Sequence, residues 1–244
     1  MRVAYGTFDL VLVFLSYLIS VCGSYTALVF ARESQRAKQE ERLALIVWAG
    51  VVMGAVAIWS MHFVGMMALD LGMPASYEVG RTCLSMLLAI AATSVGFAVV
   101  GAVSRSGPAI VSAGVFMGLG IAAMHYTGMA ALCVTAARWY DGPIVALSVA
   151  IAIAAATVAL WMAFHLDRPW HLVVASLIAG FAVCGMHYTG MLALNLVPDP
   201  SLPDQLPTML SPMVVGGGLS ILSLVVLWLG HAMTRETRLE TVDT

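Results

Sequence analysis

The sequence Met-His-Tyr-Thr-Gly-Met occupies residues 124–129 and again residues 186–191, and a variant, Met-His-Phe-Val-Gly-Met, occupies residues 61–66. The histidines of successive copies are 63 and 62 residues apart, which predicts a chain built from repeats of one unit. Each copy lies inside a long apolar segment. A histidine inside a membrane helix is costly unless something satisfies it, so three at equivalent positions predict one shared site.

The composition indicates an integral membrane protein. Hydrophobic residues make up 61% of the 244 residues and charged residues only 10%, whereas about a quarter of the residues of a soluble domain are charged. A net charge of −2 gives no sign of a nucleic-acid partner. We therefore expect a multi-pass membrane protein, with the lipid bilayer as its main partner. Association into a homo-oligomer is compatible with the sequence.

A helix that crosses a bilayer needs about 20 apolar residues, and seven such stretches are found between polar breaks. The predicted fold class is therefore all-α, with seven transmembrane helices, and the first stretch is read as a span because no signal-cleavage site follows it. The seven predicted spans are residues 8–30, 43–69, 82–103, 109–136, 143–164, 171–195 and 212–233. They form one membrane domain, 8–233, between a periplasmic N-terminus, 1–7, and a cytoplasmic tail, 234–244.

The orientation follows from the lysines and arginines of the short loops. One side carries eight of these residues, four of them in the loop 31–42, and the other side carries three, Arg2, Arg81 and Arg138. This asymmetry predicts the N-terminus outside and the C-terminus in the cytoplasm. The histidines would then lie in the outer halves of spans 2, 4 and 6, roughly 10–15 Å below the outer ends of their helices.

The predicted repeat is a pair of spans, 1–2, 3–4 and 5–6, which inserts in the same direction each time and leaves span 7 without a partner. Small residues recur seven and two positions before each histidine, and such residues allow close helix packing. The positions seven before and three, four and seven after each histidine share its helix face, and we expect that face to point toward its counterparts in the other copies. The small residues are Ala55, Gly118 and Gly180 in the first set, and Ser60, Ala123 and Gly185 in the second.

The chemistry of the motif favours a soft transition metal. Imidazole suits copper, zinc, iron and nickel, and thioether favours Cu(I), so copper is the predicted ion, with zinc as the second choice. A methionine follows each histidine by one helical turn on the same face and is read equally well as a ligand or as core packing. The predicted ligands are His62, Met66, His125, Met129, His187 and Met191.

Two further groups of polar residues lie near the motif. Asp70, Cys133 and Asn195 stand eight residues after each histidine as accessory ligands, although capping or interface placement is the stronger interpretation. Four hydroxyl residues of the second and third copies are candidates to orient the imidazoles: Tyr126, Thr127, Tyr188 and Thr189.

The triple motif resembles the MHYT domain, a bacterial integral-membrane sensor module, over about residues 8–233. The resemblance implies a location in the bacterial inner membrane and copper held by the motif histidines and methionines near the outer face. It also implies sensing of a diatomic gas such as O₂, CO or NO. Members of that family often carry cytoplasmic domains for cyclic di-GMP turnover, kinase activity or transcription control. This chain departs from the pattern at Phe63 and Val64, and no output domain follows span 7 in this sequence, so we expect a signalling domain or partner protein in the cytoplasm.

The leading hypothesis is therefore a non-enzymatic sensor of gas, copper or redox state, with span 7 and the tail carrying the change inward. Copper uptake or trafficking is one alternative, but no relay of methionine, histidine or carboxylate crosses the inner halves of spans 2, 4 and 6. A membrane haem or copper redox protein is another, since paired histidines can ligate haem iron. A three-helix repeat fits a three-ligand site better than a two-ligand one.

Overall fold

The computed structural model describes residues 7–166, 168–198, 209–211, 214–215, 218 and 228. Six helices of 24–29 residues in the described part of the chain are long and apolar enough to cross a membrane. They are α1 Leu10–Ser34, α2 Gln39–Met67, α3 Val79–Val103, α4 Gly107–Ala131, α5 Gly142–His165 and α6 Pro169–Leu192. The predicted seventh span, 212–233, lies almost entirely outside the described residues, and the tail 234–244 lies wholly outside them.

The helices form a closed ring. Each packs against its neighbours in the chain, and α1 packs against α6 to close the circle. Helices α2, α4 and α6 also touch one another along the central axis, and these three carry the motif. Large apolar side chains such as Phe14, Leu87 and Phe181 remain exposed on the outside of the ring, as a lipid-facing surface requires.

Short strands gather at one end of the ring, which we call the strand end. Helices α1, α3 and α5 begin there, and α2, α4 and α6 end there. The strands are β1 Ser76–Glu78, β2 Leu132–Cys133, β3 Ala136–Tyr140, β4 Leu194–Pro198 and β5 Met209–Leu210. Strand β1 pairs antiparallel with β2 and β5, and β3 pairs antiparallel with β4.

An aromatic–acid pair repeats at this end, just before each odd-numbered helix. Phe8, Tyr77 and Tyr140 face Leu69, Leu132 and Leu194 across their bridges. The acid that follows each aromatic, Asp9, Glu78 or Asp141, accepts backbone N–H groups of the first helical turn. Each acid therefore caps its helix.

Helix α2 contains a π-helical section, Met53–Ser60, that ends two residues before His62. The hydroxyl of Ser60 donates to the carbonyl of Ala55, five residues back, at 2.8 Å. Single π turns inside α-helices are found preferentially at functional sites because they change the direction of the side chains that follow. The second and third copies of the motif lie in regular α-helix.

Three expectations need correction. The fourth helix ends at Ala131 rather than at 136, because the chain becomes extended in β2 and β3 to pair with neighbouring segments. The polar loop 31–42 is mostly helical, and only residues 35–38 separate α1 from α2. With the helices ending earlier, the histidines lie five or six residues from those ends, which is about 7–9 Å rather than 10–15 Å.

The expected role of the small residues is also wrong in part. A Cβ atom added at Gly118 would collide with the backbone of Ile153 on α5, and one added at Gly180 would collide with Val21 on α1. These glycines therefore admit an outer helix of the ring and not their counterparts, because the outer helices cross closely at that level.

Candidate metal centre

The three motif histidines meet on the central axis, as the repeat predicts. His62 of α2, His125 of α4 and His187 of α6 are each at most 1% exposed. Their Nδ1 atoms form a triangle, with separations of 3.0 Å between His62 and His187, 3.2 Å between His62 and His125, and 3.3 Å between His125 and His187. We call this cluster the histidine triad, and its predicted convergence is confirmed.

The triad cannot satisfy itself by hydrogen bonding. A neutral imidazole presents either a proton or a lone pair at Nδ1, never both, so three converging Nδ1 atoms cannot form a closed ring of donors and acceptors. A cation between them would accept all three lone pairs. Nitrogen ligands about 2.0 Å from a tetrahedral ion lie about 3.3 Å apart, close to the separations found here. The donor set therefore fits one transition-metal ion.

The glycine of each motif copy makes room for an imidazole from another copy. A Cβ atom at Gly128 would collide with Nε2 of His62, one at Gly190 with Nε2 of His125, and one at Gly65 with Nε2 of His187. The contacts run in one direction round the axis: the second and third motif helices each receive the histidine of the preceding copy, and the first receives that of the third. The three Nε2 atoms are buried and have no hydrogen-bond partner among the described residues.

An aromatic residue follows each histidine and packs edge-on against its ring, with 4.9 Å between the ring centroids in all three copies. The tyrosine hydroxyls bond to serines on the outer helices: Tyr126 to Ser148 at 2.6 Å, and Tyr188 to Ser16 at 2.9 Å. In the first copy Phe63 has no hydroxyl. The equivalent serine, Ser85, instead accepts the indole N–H of Trp59 at 2.9 Å.

The aromatics at the strand end cover this layer. Phe8 packs edge-on against Tyr188, Tyr77 against Phe63, and Tyr140 against Tyr126, with centroid separations of 5.4–5.6 Å. Burial raises the pKa of the Tyr77 phenol and also that of Tyr140, where Arg138 opposes the shift. A phenol is already neutral near pH 7, and the raised pKa makes its ionisation harder still. This aromatic layer separates the triad from the strand end.

The predicted methionine ligands are buried one helical turn nearer the strand end than the histidines. Met66, Met129 and Met191 are 1–5% exposed and belong to the hydrophobic core. Both the ligand and the packing interpretations require this burial. Their role as ligands therefore stays a prediction.

The accessory and hydroxyl candidates lie further from the triad axis. Asp70 is exposed and accepts the N–H of Gly72 in a turn, the thiol of Cys133 donates to the carbonyl of Ala131, and the Asn195 amide donates to Ala193. These bonds agree with the capping and interface interpretation. Thr127 and Thr189 are half-buried. The tyrosines touch the imidazoles through their rings, while their hydroxyls bond to serine.

Three sets of residues that support the triad were missed from sequence. The glycine three positions after each histidine recurs in all three copies, and that recurrence was the available signal. The aromatic–acid pairs Phe8-Asp9, Tyr77-Glu78 and Tyr140-Asp141 also recur, each at the start of an odd helix. The serines carry a weaker signal, because the spacing from serine to histidine varies: Ser16, Ser85 and Ser148 precede His62, His125 and His187.

Comparison with known proteins finds three copies of the repeat, the number predicted from the sequence. The family model MHYT, described as a bacterial signalling protein N-terminal repeat, matches residues 56–113, 118–176 and 180–241. Each match begins in a motif helix and runs into the following segment. The family repeat therefore begins one helix later than the helix pairs predicted from the sequence, which begin with spans 1, 3 and 5.

The curated relatives are longer signalling proteins. MucR of Pseudomonas aeruginosa, a bifunctional diguanylate cyclase/cyclic di-GMP phosphodiesterase, is 41% identical over 77% of this chain and 28% of its own length. NbdA of the same organism, a cyclic di-GMP phosphodiesterase, is 37% identical over 82% of this chain and 26% of its own length. The signalling protein YkoW of Bacillus subtilis is 35% identical over 81% of this chain and 25% of its own length.

The chain therefore spans about a quarter of the length of these curated relatives. No solved structure matches it. The family model covers most of the chain in three consecutive segments, and each segment contains one histidine of the triad. The chain belongs to the MHYT family of bacterial signalling proteins.

Proposed function

We propose that this chain is a non-enzymatic sensor module of the bacterial inner membrane that holds a copper ion at the histidine triad and signals to the cytoplasm. The observation that carries the proposal is the triangle of buried Nδ1 atoms, 3.0–3.3 Å apart. Burying three imidazoles in a membrane protein is costly, and a shared cation explains both their depth and their convergence.

Copper is the proposed ion because of the donors near the site. Three imidazoles alone would suit zinc as well as copper. Met66, Met129 and Met191, one turn away and buried, would add soft thioether donors that favour Cu(I). When bound, the ion would supply a coordination position for a diatomic gas such as O₂, CO or NO, or a redox change. The chain's own residues hold the imidazoles in place and keep water away through the aromatic layer.

The proposed output is a cyclic di-GMP signal. Two relatives are named for cyclic di-GMP synthesis or hydrolysis, and this chain matches only about a quarter of each. The proposed orientation places the strand end at the periplasm and the charged loop at residues 35–38 in the cytoplasm, as the arginine and lysine asymmetry predicts. A cytoplasmic signalling domain or partner would then receive the signal.

The two alternatives find less support. One turn below the triad, the equivalent positions hold Ile58, Ile121 and Val183, which offer no ligand to an ion moving across the membrane. Haem is disfavoured because the Nδ1 atoms of the triad lie too close together for a porphyrin plane to stand between two of them.

Metal analysis of purified protein tests the proposal. We expect bound copper in the wild type and its loss in His62→Ala, His125→Ala and His187→Ala. His165→Ala is the control, since His165 bonds to the carbonyl of Trp161 and lies far from the triad. Titration of the copper-loaded protein with CO, NO and O₂ then tests gas sensing by absorption or paramagnetic resonance. A wild type that takes up no copper overturns the metal assignment, and spectra unchanged by every gas overturn the gas ligand.

A further inference from the structure

A cavity of about 20 Å³ lies directly beneath the histidine triad, on the side away from the strand end. Three of its lining residues, Ile58, Ile121 and Val183, each precede a triad histidine by four positions. One turn of helix separates them from the imidazoles, which is about 6 Å along the axis. The cavity therefore begins about one turn below the triad and extends outward to α5, which contributes four alanines to its lining.

The lining determines what the cavity can hold. Every lining side chain is an alanine, valine, isoleucine or methionine. Two of the thioethers are engaged by other helices, since the sulfur of Met53 accepts the hydroxyl of Ser24 and the sulfur of Met117 lies against Gly96. A water molecule needs two to four polar partners, and apolar cavities without them stay dry and take up xenon or small hydrocarbons. The cavity thus disfavours water and ions and suits a neutral apolar molecule.

Its size restricts that molecule further. One water-sized molecule needs about 10–15 Å³ measured in the same way. A volume of about 20 Å³ therefore has room for one molecule of diatomic size and not for an acyl chain or an aromatic ring.

The lining of the cavity is least buried where α5 meets α6. Ala155 and Ala182 line the cavity and are only partly buried, unlike Ala152 and Ala156 on the inner side of α5. Phe181, next to Ala182, is exposed on the lipid-facing surface. Apolar gases dissolve better in hydrocarbon than in water, so the bilayer would supply them at this seam, while the aromatic layer closes the opposite side of the triad.

We propose that this cavity is a binding site for one diatomic gas molecule, filled from the bilayer through the seam between α5 and α6. The inference deepens the proposed sensing function and rests on it for the identity of the natural ligand. It places the gas next to the triad before any contact with a metal. The occupancy itself depends only on the shape and the lining of the cavity.

Oxygen-dependent NMR relaxation of methionine methyl groups tests this in the metal-free full chain in lipid nanodiscs. O₂ is paramagnetic and broadens the signals of methyl groups beside it. We expect excess broadening under O₂ pressure at Met53, Met117 and Met186, which line the cavity, relative to Met162, which is equally buried on α5 outside it. Ala156→Val fills the cavity and should remove the excess. Ala154→Val, on the lipid-facing side of the same helix, should keep it.

Broadening at the three methionines no greater than at Met162, or an excess that survives Ala156→Val, overturns the inference. Ala152→Val replaces Ala156→Val if that variant does not fold. Because the protein carries no metal in this experiment, its result is independent of copper binding. A protein that shows the excess broadening but takes up no copper would retain the cavity site and lose the proposed function. A protein that takes up copper but shows no excess broadening would retain the proposed function and lose the cavity site.

Discussion

The imidazole of His187 fills the space beside Gly65 that a side chain would need, and a Cβ atom at this position would collide with Nε2 of His187. The same relationship joins Gly128 to His62 and Gly190 to His125. Each motif helix thus contributes one histidine to the triad and a bare backbone surface on which another histidine rests. The glycine is part of the site because it lets a ring approach the helix, and no positive backbone φ is involved.

Gly128→Ala should weaken metal binding without removing a donor. The added methyl group displaces the ring of His62 and moves its Nδ1 atom from the triangle. Changes to groups that orient metal ligands typically cost about 10–100-fold in affinity, and we expect a loss of that size. Competition against a chelator of known affinity measures it. Gly185→Ala, which meets nothing within 4 Å, is the matched control. Equal affinities in the two variants would contradict the supporting role of the motif glycine.

The convergence of the triad could be predicted from the sequence because it follows from periodicity. The motif copies are nearly equally spaced, and the chain crosses the membrane an even number of times between them. His62, His125 and His187 therefore reach one depth on equivalent helix faces, whatever the details of packing. The apolar lengths likewise predicted the six described helices, with ends displaced by a few residues. These features depend on local pattern and on the thickness of a bilayer.

The supporting contacts could not be predicted because they join positions that vary in spacing. Ser16 meets Tyr188 across 172 residues, since α1 closes the ring against α6. No local sequence pattern predicts which outer helix packs against which motif helix. The end of α4 was misplaced for a similar reason: residues 132–136 are apolar enough for a helix, but pairing of β2 with β1 satisfies their backbone outside the bundle.

Tyr126→Phe should reduce stability slightly and leave metal binding nearly unchanged. The variant loses the 2.6 Å bond to Ser148, but Ser148 still donates to the carbonyl of Val145. We expect a loss of about 0.5–1.5 kcal/mol in the free energy of unfolding. Thermal unfolding measures this, with the exposed Tyr25→Phe as the control. A large loss of metal affinity would instead show that the hydroxyl orients the imidazole, a role for which Phe63 has no equivalent group.

Asp141→Ala should destabilise the start of α5. The carboxylate accepts the N–H of Ile144 at 3.2 Å, and loss of such a cap costs about 0.5–2 kcal/mol. Asp141→Asn keeps an oxygen at the same place and should behave nearly as the wild type. Thermal unfolding of the two variants in the same detergent provides the comparison. Equal destabilisation by both would indicate that the negative charge, and not the cap, is what the helix requires.

The methionine positions allow a test that separates copper from zinc. Replacing methionine by leucine conserves volume and usually costs less than about 1.5 kcal/mol, so the triple variant Met66→Leu, Met129→Leu and Met191→Leu should still fold. Thioethers bind Cu(I) well and contribute little to zinc, so we expect a clear loss of Cu(I) affinity with zinc affinity unchanged.

The control is a second triple variant, Met61→Leu, Met124→Leu and Met186→Leu. These positions are equally buried, but they lie one residue before each histidine and therefore about 100° away round the helix. Competition titrations with each metal decide the outcome. If both triple variants bind Cu(I) as the wild type does, the methionines are core packing, and the three imidazoles alone hold the ion.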